Sequence, residues 1–144
     1  MPTKHRILAL VFHDFEALDL FGPLGTILPR SDYYTLKLVN VHNLPAPHGI
    51  ECSIQNGIGI MPQLSIADAL ANDEPFDTLF IPGGVNLPPL SNRMLLEQVG
   101  QLVDRARNVF TVCTGSLILA ATGKIDGRTA TTNKRLFDAR TVEC

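Results

Sequence analysis

The chain has 144 residues, of which 45% are hydrophobic and 18% are charged. This composition is typical of one globular domain with its own apolar core. The net charge is −2 and the sequence contains no dense run of Lys or Arg, so it lacks the electrostatic signature of a protein that binds nucleic acid or an anionic membrane. The expected partner is a small molecule.

The apolar run at residues 7–12 is too short for a signal peptide, and acidic residues follow it at once. No window reaches the roughly 18 apolar residues of a membrane span. Cys52, Cys113 and Cys144 form an odd set without the spacing of metal ligands. We therefore expect free thiols, no metal site and a cytoplasmic location.

Short apolar runs alternate with helical periodicity along the chain, which predicts an α/β fold with a parallel sheet covered by helices. The predicted strands are residues 7–12, 34–41, 78–81, 108–112 and 128–132, with short strands around residue 54 and at 58–61. The predicted helices are residues 15–28, 92–107, 115–122 and 133–140. Gly22-Pro23 interrupts the first of these helices, and a new helix could start there.

The carboxyl ends of parallel strands meet at one edge of a sheet, where ligands bind in such folds. Four segments follow predicted strands and carry chemically useful residues: 13–19, 82–84, 113–114 and 132–133. His13 is the histidine that we expect nearest to this edge, although a surface histidine at a strand end is the simpler interpretation.

Cys113 stands where a predicted strand changes to a helix, and the small residues Thr114, Gly115 and Ser116 follow it. A sharp strand-turn-helix would expose the thiol, and the amino end of the helix would stabilise a thiolate. Such a cysteine can act as a nucleophile. An ordinary buried cysteine fits the same spacing, so both interpretations stay open.

Two other features could complete a site around the thiol. Pro82-Gly83-Gly84 lets the backbone approach a ligand closely, so that the Gly84 and Thr114 N–H groups could form an oxyanion hole, although a plain turn explains the sequence equally well. Asp19 lies between apolar neighbours, and half-buried it could stay protonated and donate a hydrogen bond to Cys113. A helix-capping or solvated aspartate is the alternative.

The segments "FEALDLFGP", "DTLFIPGG" and "VFTVCTGSLILAATGKIDGRTATTNK" resemble the ThiJ/PfpI superfamily, over residues 6 to about 138. The closest likeness is to isonitrile hydratase-like members and to the sensing domains of some transcription regulators. The resemblance implies a flavodoxin-like, glutamine amidotransferase-like three-layer sandwich. It also implies that Cys113 is the nucleophile, that Asp19 is its acid partner, and that Gly83, Gly84 and Thr114 contact the substrate.

The chain departs from the superfamily pattern in two ways. Asn133 stands where many members have histidine, and an amide cannot act as a base, which counts against a peptidase or amidase triad. The resemblance also implies further strands and a closing helix that this sequence lacks, so residues 1–144 are expected to form one incomplete domain. An uncovered apolar face would favour aggregation or a homodimer. A truncated gene model, a splice product or a short natural form would each account for the missing strands and helix.

These expectations favour a cofactor-free, cysteine-dependent hydratase that converts isonitriles to N-substituted formamides through a thioimidate on Cys113. Glyoxalase-like or deglycase chemistry on 2-oxoaldehydes is an alternative within the same superfamily. A non-catalytic redox sensor, or an inactive remnant of an enzyme, is the alternative of a different class.

Overall fold

The structure is a computed structural model that describes residues 3–42, 49–51 and 58–134. Its strands are β1 (His5–Val11), β2 (Tyr34–Asn40), β3 (Ile50–Glu51), β4 (Gly59–Ile60), β5 (Leu64–Ser65), β6 (Thr78–Ile81) and β7 (Asn108–Thr111). Its helices are α1 (Ala17–Ile27), α2 (Ile66–Ala71), α3 (Pro88–Ser91), α4 (Arg93–Arg105) and α5 (Gly115–Ala121). A 3-10 turn, Leu28–Arg30, follows α1.

Five strands form one sheet in the order β5-β2-β1-β6-β7, and all of its strand pairs are parallel. This confirms the predicted parallel sheet. The chain moves outward from β1 to β2 and β5 on one side, and from β6 to β7 on the other. The strand order therefore reverses between β1 and β6, and such a reversal opens a crevice at the carboxyl ends of the two strands.

Helices cover the two faces of the sheet, as the three-layer prediction requires. Adjacent residues of a strand point to opposite faces. Ile7 of β1 lines a cavity together with Leu24 of α1, whereas Leu8 lines another with Ala69 of α2. Because α2 packs against α4 and α4 packs against α5, these three helices form the layer opposite α1.

The core explains why β1 is an unbroken apolar run in the sequence. Ala9, Leu10 and Val11 are 0% exposed, since helices cover both faces of this central strand. Its two neighbours, β2 and β6, complete the centre of the sheet. The hydrophobic run was therefore a correct signal for a strand that is buried on both sides.

Helix α4 confirms the strongest prediction from periodicity to within two residues at each end. The Asn92 side chain accepts a hydrogen bond from the Leu95 N–H (3.3 Å) and caps the helix. The inward face carries Leu95, Val99, Gly100 and Leu102, at three- and four-residue spacing. Ala106 adopts an extended backbone and ends the helix.

Helix α1 differs from its prediction, because it continues through Gly22-Pro23 rather than restarting there. Proline has no N–H, so the turn at Pro23 lacks one helical hydrogen bond. Buried Leu20 and Leu24, on either side of that turn, hold the helix against the core. Tertiary packing thus outweighs the local preference of proline to interrupt a helix.

The predicted strand at residues 128–132 is wrong, because no residue of this segment belongs to a strand. Threonine favours strands, but this run has no apolar alternation that would bury one face. The Thr132 hydroxyl is instead hydrogen-bonded to the Ser116 hydroxyl at 2.8 Å. Residue 54 and all but the start of the predicted helix 133–140 lie outside the described residues.

Sequence reasoning missed two short helices. Ser65 and Asp68 form a capping box at the start of α2, since each side chain bonds to the backbone N–H of the other residue. Helix α3 begins with Pro88-Pro89 in its first turn, where proline is favoured. The capping box and the proline pair are both visible in the sequence. They were missed because they lie within or beside segments rich in proline and asparagine, which are typical of loops. The predicted short strand at 58–61 is confirmed as β4, which pairs with β3.

One side of the sheet carries an apolar groove of about 430 Å³ between α1 and the strands. Phe110 of the edge strand β7 lines it, is 49% exposed and stacks on Phe80 at a ring distance of 5.2 Å. The possible homodimer stays a prediction, and the sequence did not identify its interface. Among the described helices, none is long and apolar enough to cross a membrane.

The buried face of α4 can be tested with two substitutions on the same helix. Leu102 is 0% exposed, so Leu102→Ala is expected to lower the free energy of unfolding by about 2–5 kcal/mol, through lost burial and the cavity left behind. Met94 is 58% exposed, and Met94→Ala is expected to change it by no more than about 0.5 kcal/mol. Urea unfolding followed by circular dichroism measures both. Equal effects would mean that α4 does not pack as described.

Candidate functional site

The backbone turns sharply at Cys113, between β7 and α5. Its φ of 54° lies in the left-handed region, where a residue with a side chain costs roughly 1–3 kcal/mol. Hydrogen bonds on both sides of the cysteine hold it there: the Val112 N–H donates to the Ile81 carbonyl (3.1 Å), and the Gly115 N–H donates to the Val112 carbonyl (2.9 Å). The predicted strand-turn-helix is therefore present, with a strained residue at its apex.

The residue that follows the turn must be glycine, because the elbow packs directly on β6. A Cβ at Gly115 would collide with the carbonyl oxygen of Ile81 and approach that of Pro82 to 2.8 Å. Glycine thus lets the start of α5 lie against the end of the neighbouring strand. With seven residues, α5 is short, so the turn owes its geometry to these backbone contacts.

Asp19 lies in the first turn of α1, and its carboxylate reaches the ends of two other strands. Oδ2 accepts a hydrogen bond from the Gly83 N–H (3.1 Å), and the Cys113 thiol interacts with the same carboxylate. Burial raises the pKa of Asp19 above 3.8, and the negative charge of Glu16 adds to this rise. The hydrogen bonds from Gly83 and Cys113 oppose it.

Gly83 is buried at the point where these groups converge. A Cβ there would come within 2.7 Å of Thr114 Oγ1 and within 2.8 Å of both Asp19 Oδ2 and the Thr114 nitrogen. Real Cβ atoms do not make such contacts, so a side chain at this position would push the acid and the elbow apart. The structure thus brings together the predicted residues Asp19, Gly83, Gly84, Cys113 and Thr114.

Thr114 joins the elbow to the glycine turn through its side chain, a role that the sequence did not predict. The residue is 4% exposed, and its Oγ1 accepts a hydrogen bond from the Gly84 N–H (3.0 Å) and donates one to the Gly84 carbonyl (3.1 Å). The Gly84 N–H, considered above as an oxyanion donor, is therefore engaged within the protein. The hydroxyl would have to move before this N–H could bind a substrate.

The turn that leads into α1 is anchored to the same glycines. The Glu16 N–H donates to the Gly83 carbonyl (2.8 Å), and Phe15 forms an isolated β-bridge with Gly84. Asp14 has a φ of 66°, and its carboxylate accepts a hydrogen bond from Asn86 Nδ2 (2.7 Å). The position of Asp19 is thus set by backbone contacts across the crevice.

Asn133 approaches the thiol from the segment after α5. Its Nδ2 donates a hydrogen bond to Cys113 Sγ at 3.0 Å. The Ser116 hydroxyl lies within hydrogen-bond distance of the Cys113 carbonyl (3.0 Å) and of Thr132 Oγ1 (2.8 Å), which ties this segment to the elbow. Among the described residues, the amide of Asn133 hydrogen-bonds Sγ, and the carboxyl of Asp19 interacts with the thiol.

His13, which the sequence placed nearest to Cys113, is paired with another histidine. Its backbone N–H donates to His42 Nε2 (3.0 Å), and the two rings lie 4.9 Å apart. Burial, together with the charge of His13, lowers the pKa of His42 below 6.5, which favours the neutral ring that this bond requires. Sequence reasoning missed His42, although it lies two residues after the end of β2.

The arrangement can supply a nucleophile and a proton. A thiol that donates to a carboxylate of raised pKa can transfer its proton to that carboxylate during attack. Within residues 3–42, 49–51 and 58–134, no group of three or more His, Cys, Asp or Glu could hold a metal ion. Of the three cysteines, Cys113 is described as a free thiol, and Cys52 and Cys144 lie outside the described residues.

The chain is similar in sequence to known proteins over nearly its whole length. The sequence pattern of the DJ-1/PfpI family matches residues 5–142. An uncharacterized protein in the cpoL 5' region of Streptomyces lividans is 33% identical over 134 residues, which cover 90% of this chain and 87% of that protein. The isonitrile hydratase of Pseudomonas putida is 30% identical over 130 residues, which cover 90% of this chain but 52% of the enzyme.

Among solved structures, a ThiJ/PfpI family protein from Pseudomonas syringae superimposes with a TM-score of 0.70 at 24% identity. The match covers 87% of this chain and 48% of the other. The chain therefore spans about half the length of this protein and of the hydratase, but most of the length of the Streptomyces relative.

The raised pKa of Asp19 predicts how stability changes with pH. Asp19 binds its proton more tightly in the folded state than in the unfolded state, where its pKa is 3.8. This difference stabilises the folded protein in full at pH values below 3.8, and the stabilisation is lost as the pH rises through the pKa of the folded state. Asp19→Asn keeps an acceptor for the Gly83 N–H but removes the charge. We expect the variant to be more stable than the wild type near pH 7, with a difference that shrinks toward pH 4. Urea unfolding at a series of pH values measures this.

Asp68→Asn provides a control of opposite sign. The side-chain hydrogen bond from Ser65 lowers the pKa of Asp68, so its contribution is present above 3.8 and is lost as the pH falls through the folded pKa. This substitution is expected to destabilise the protein near pH 7. A destabilised Asp19→Asn variant at neutral pH would contradict the assigned burial of that carboxylate.

The Thr114 hydroxyl can be tested with an isosteric change. Thr114→Val leaves the Gly84 N–H without its acceptor, so it is expected to cost about 1–3 kcal/mol of unfolding free energy. Thr114→Ser retains the hydroxyl and should recover most of this loss in the same thermal and urea measurements. A valine variant as stable as the serine variant would show that the bridge to Gly84 contributes nothing.

Proposed function

The chain belongs to the DJ-1/PfpI family, and we propose that it is a cysteine-dependent hydratase that adds water to isonitriles, with Cys113 as nucleophile and Asp19 as proton carrier. The observation that carries this proposal is the pair of partners around one sulfur atom. The Cys113 thiol interacts with the half-buried carboxylate of Asp19 and accepts a hydrogen bond from the amide of Asn133.

The first step forms a carbon–sulfur bond. Cys113 transfers its proton to Asp19, and the resulting thiolate attacks the terminal carbon of R–N≡C. Asp19 then returns the proton to the same carbon, which gives the thioimidate R–N=CH–S on Cys113. No atom leaves in this step, and the raised pKa of Asp19 makes its carboxyl a suitable acceptor and donor for the proton.

The second step hydrolyses the thioimidate. Asp19, again a carboxylate, takes a proton from water while the hydroxide adds to the carbon, and it passes this proton to the nitrogen. The C–S bond of the adduct then breaks as the hydroxyl proton is lost, which releases R–NH–CHO and restores the Cys113 thiol. Thr114 N–H is the proposed donor to the oxygen of this adduct, because the Gly84 N–H is bonded to Thr114 Oγ1.

The partners of the thiol favour this chemistry over amide hydrolysis. An amide substrate requires an acid that protonates the departing amine, a task that the histidine of a Cys-His pair performs. Here the corresponding contact to sulfur comes from the carboxamide of Asn133, which neither gives up nor accepts a proton near neutral pH. An isonitrile needs no such acid, since its nitrogen stays in the product.

The similarity to the isonitrile hydratase covers only part of that enzyme. The matched region covers 52% of the hydratase, so an isonitrile substrate is our proposal for this chain. The residues that carry the two steps all lie within the matched region, residues 5–142. The fit between site and family supports the mechanism, and the choice of substrate depends on experiment.

The proposal is tested by following the conversion of an alkyl and an aryl isonitrile to their formamides by mass spectrometry. Cys113→Ser is expected to lower turnover by about a thousandfold or more, because the alkoxide is far harder to form than the thiolate. Asp19→Asn should lower kcat by about 100-fold or more, since it removes the proton carrier. Cys52→Ser is the matched control and should retain wild-type turnover.

Methylglyoxal is the competing substrate. Formation of lactate that depends on Cys113, in the absence of any formamide from isonitriles, would establish the 2-oxoaldehyde reaction in place of the hydratase. Turnover of isonitriles that survives Cys113→Ser would show that this thiol is not the nucleophile.

A further inference from the structure

We propose that Asn133 stabilises the thiolate of Cys113 by donating a hydrogen bond to its sulfur, and that it thereby makes Asp19 the one proton carrier of this thiol. The donor role stands on geometry alone. Its consequence for turnover rests on the proposed hydratase function.

The contact is direct and comes from a group without a dissociable proton. Asn133 Nδ2 lies 3.0 Å from Cys113 Sγ, a distance at which an N–H donor meets sulfur closely. Both residues are only partly exposed, so water competes for this contact less than it would on an open surface. A hydrogen bond from an N–H group to an anionic acceptor is stronger than one to a neutral acceptor, so the contact favours the thiolate over the thiol.

The position of Asn133 is built into the elbow itself. The Ser116 hydroxyl bridges the Cys113 carbonyl and the hydroxyl of Thr132, the residue immediately before Asn133. The first turn of α5 therefore fixes both the strained cysteine and the backbone that carries the amide. This second tie distinguishes Asn133 from a surface side chain that happens to reach the thiol.

Asn133 and Asp19 divide two tasks that one imidazole would otherwise combine. A histidine can stabilise a thiolate as a cation and also exchange a proton with it. Asn133 cannot exchange a proton, but its neutral N–H group can donate a hydrogen bond to the thiolate without itself changing charge with pH. The proton from sulfur then goes to Asp19, whose pKa is raised by burial.

The reactivity of Cys113 toward iodoacetamide tests the donor role without any isonitrile. Alkylation at pH 7 is followed by peptide mass spectrometry, with Cys52 and Cys144 of the same chain as internal references. Asn133→Asp is nearly isosteric and replaces the donor with a carboxylate, so it is expected to slow alkylation of Cys113 by about tenfold or more. Asn133→Ala, which only removes the donor, should slow it by a smaller factor.

Thr131→Ala is the matched control, since Thr131 is exposed and lies two residues from Asn133. It should react at the wild-type rate. Circular dichroism shows whether each variant is folded, and the two reference cysteines correct for differences in reagent and protein concentration. If Asn133→Asp folds and its Cys113 reacts at the wild-type rate, the proposed donor role is overturned.

The pH dependence of the alkylation rate distinguishes a hydrogen-bond donor from a residue with a purely structural role. In Asn133→His, an imidazole that titrates near neutral pH replaces the amide, so the rate of alkylation should gain a step in that range that the wild type lacks. A wild-type profile in a folded histidine variant would also contradict the proposal.

The two proposals can fail separately. Loss of alkylation rate in the Asn133 variants, without turnover of isonitriles by the wild type, would retain the donor role and reject the hydratase. If turnover is present, Asn133→Asp should lower kcat together with the alkylation rate. A wild-type kcat together with a wild-type alkylation rate in a folded Asn133→Asp variant would reject the donor role and keep the hydratase.

Discussion

The close approach of three chain segments at Gly83 is the constraint on which the rest of the site depends. Asp19 arrives from the end of β1, and Thr114 arrives from the end of β7, on either side of the turn that follows β6. A Cβ at Gly83 would lie within 2.8 Å of both neighbours. The missing side chain allows the acid to reach the cysteine, and the parallel order of the strands brings all three ends to one edge.

The electrostatics of the site follow from this packing. Asp19 is buried enough for its pKa to rise, yet it keeps two hydrogen-bond donors, the Gly83 N–H and the Cys113 thiol, that limit the rise. A carboxylate whose pKa is raised binds a proton more readily than an ordinary one, which suits the proposed role of accepting and returning a proton. On the sulfur, the amide of Asn133 offers a donor that does not titrate. In the proposed mechanism, the negative charge would thus move between the sulfur and the carboxylate while the other contacts stay in place.

Local patterns in the sequence predicted those parts of the fold that depend on local physics. The apolar run of β1 and the periodic face of α4 are set by burial, and the elbow at Cys113 is marked by the small residues after it. The strand expected at residues 128–132 is absent, because strand propensity does not decide whether a partner strand is available. The contacts of Thr114 with Gly84, of His13 with His42 and of Asn133 with Cys113 join segments far apart in the chain. A pattern of neighbouring residues carries no information about such pairs.

In the proposed mechanism, the backbone and the side chains of the site have separate tasks. The backbone geometry at Cys113 and Gly115 fixes the position of the thiol. The side chains of Asp19 and Asn133 would then determine whether a proton is taken up and returned or whether the sulfur is only hydrogen-bonded. Under this proposal, the asparagine at 133 leaves the attack on carbon intact and removes the acid that a departing amine would need. The reaction type would therefore depend on two side chains from separate segments, held against one strained residue.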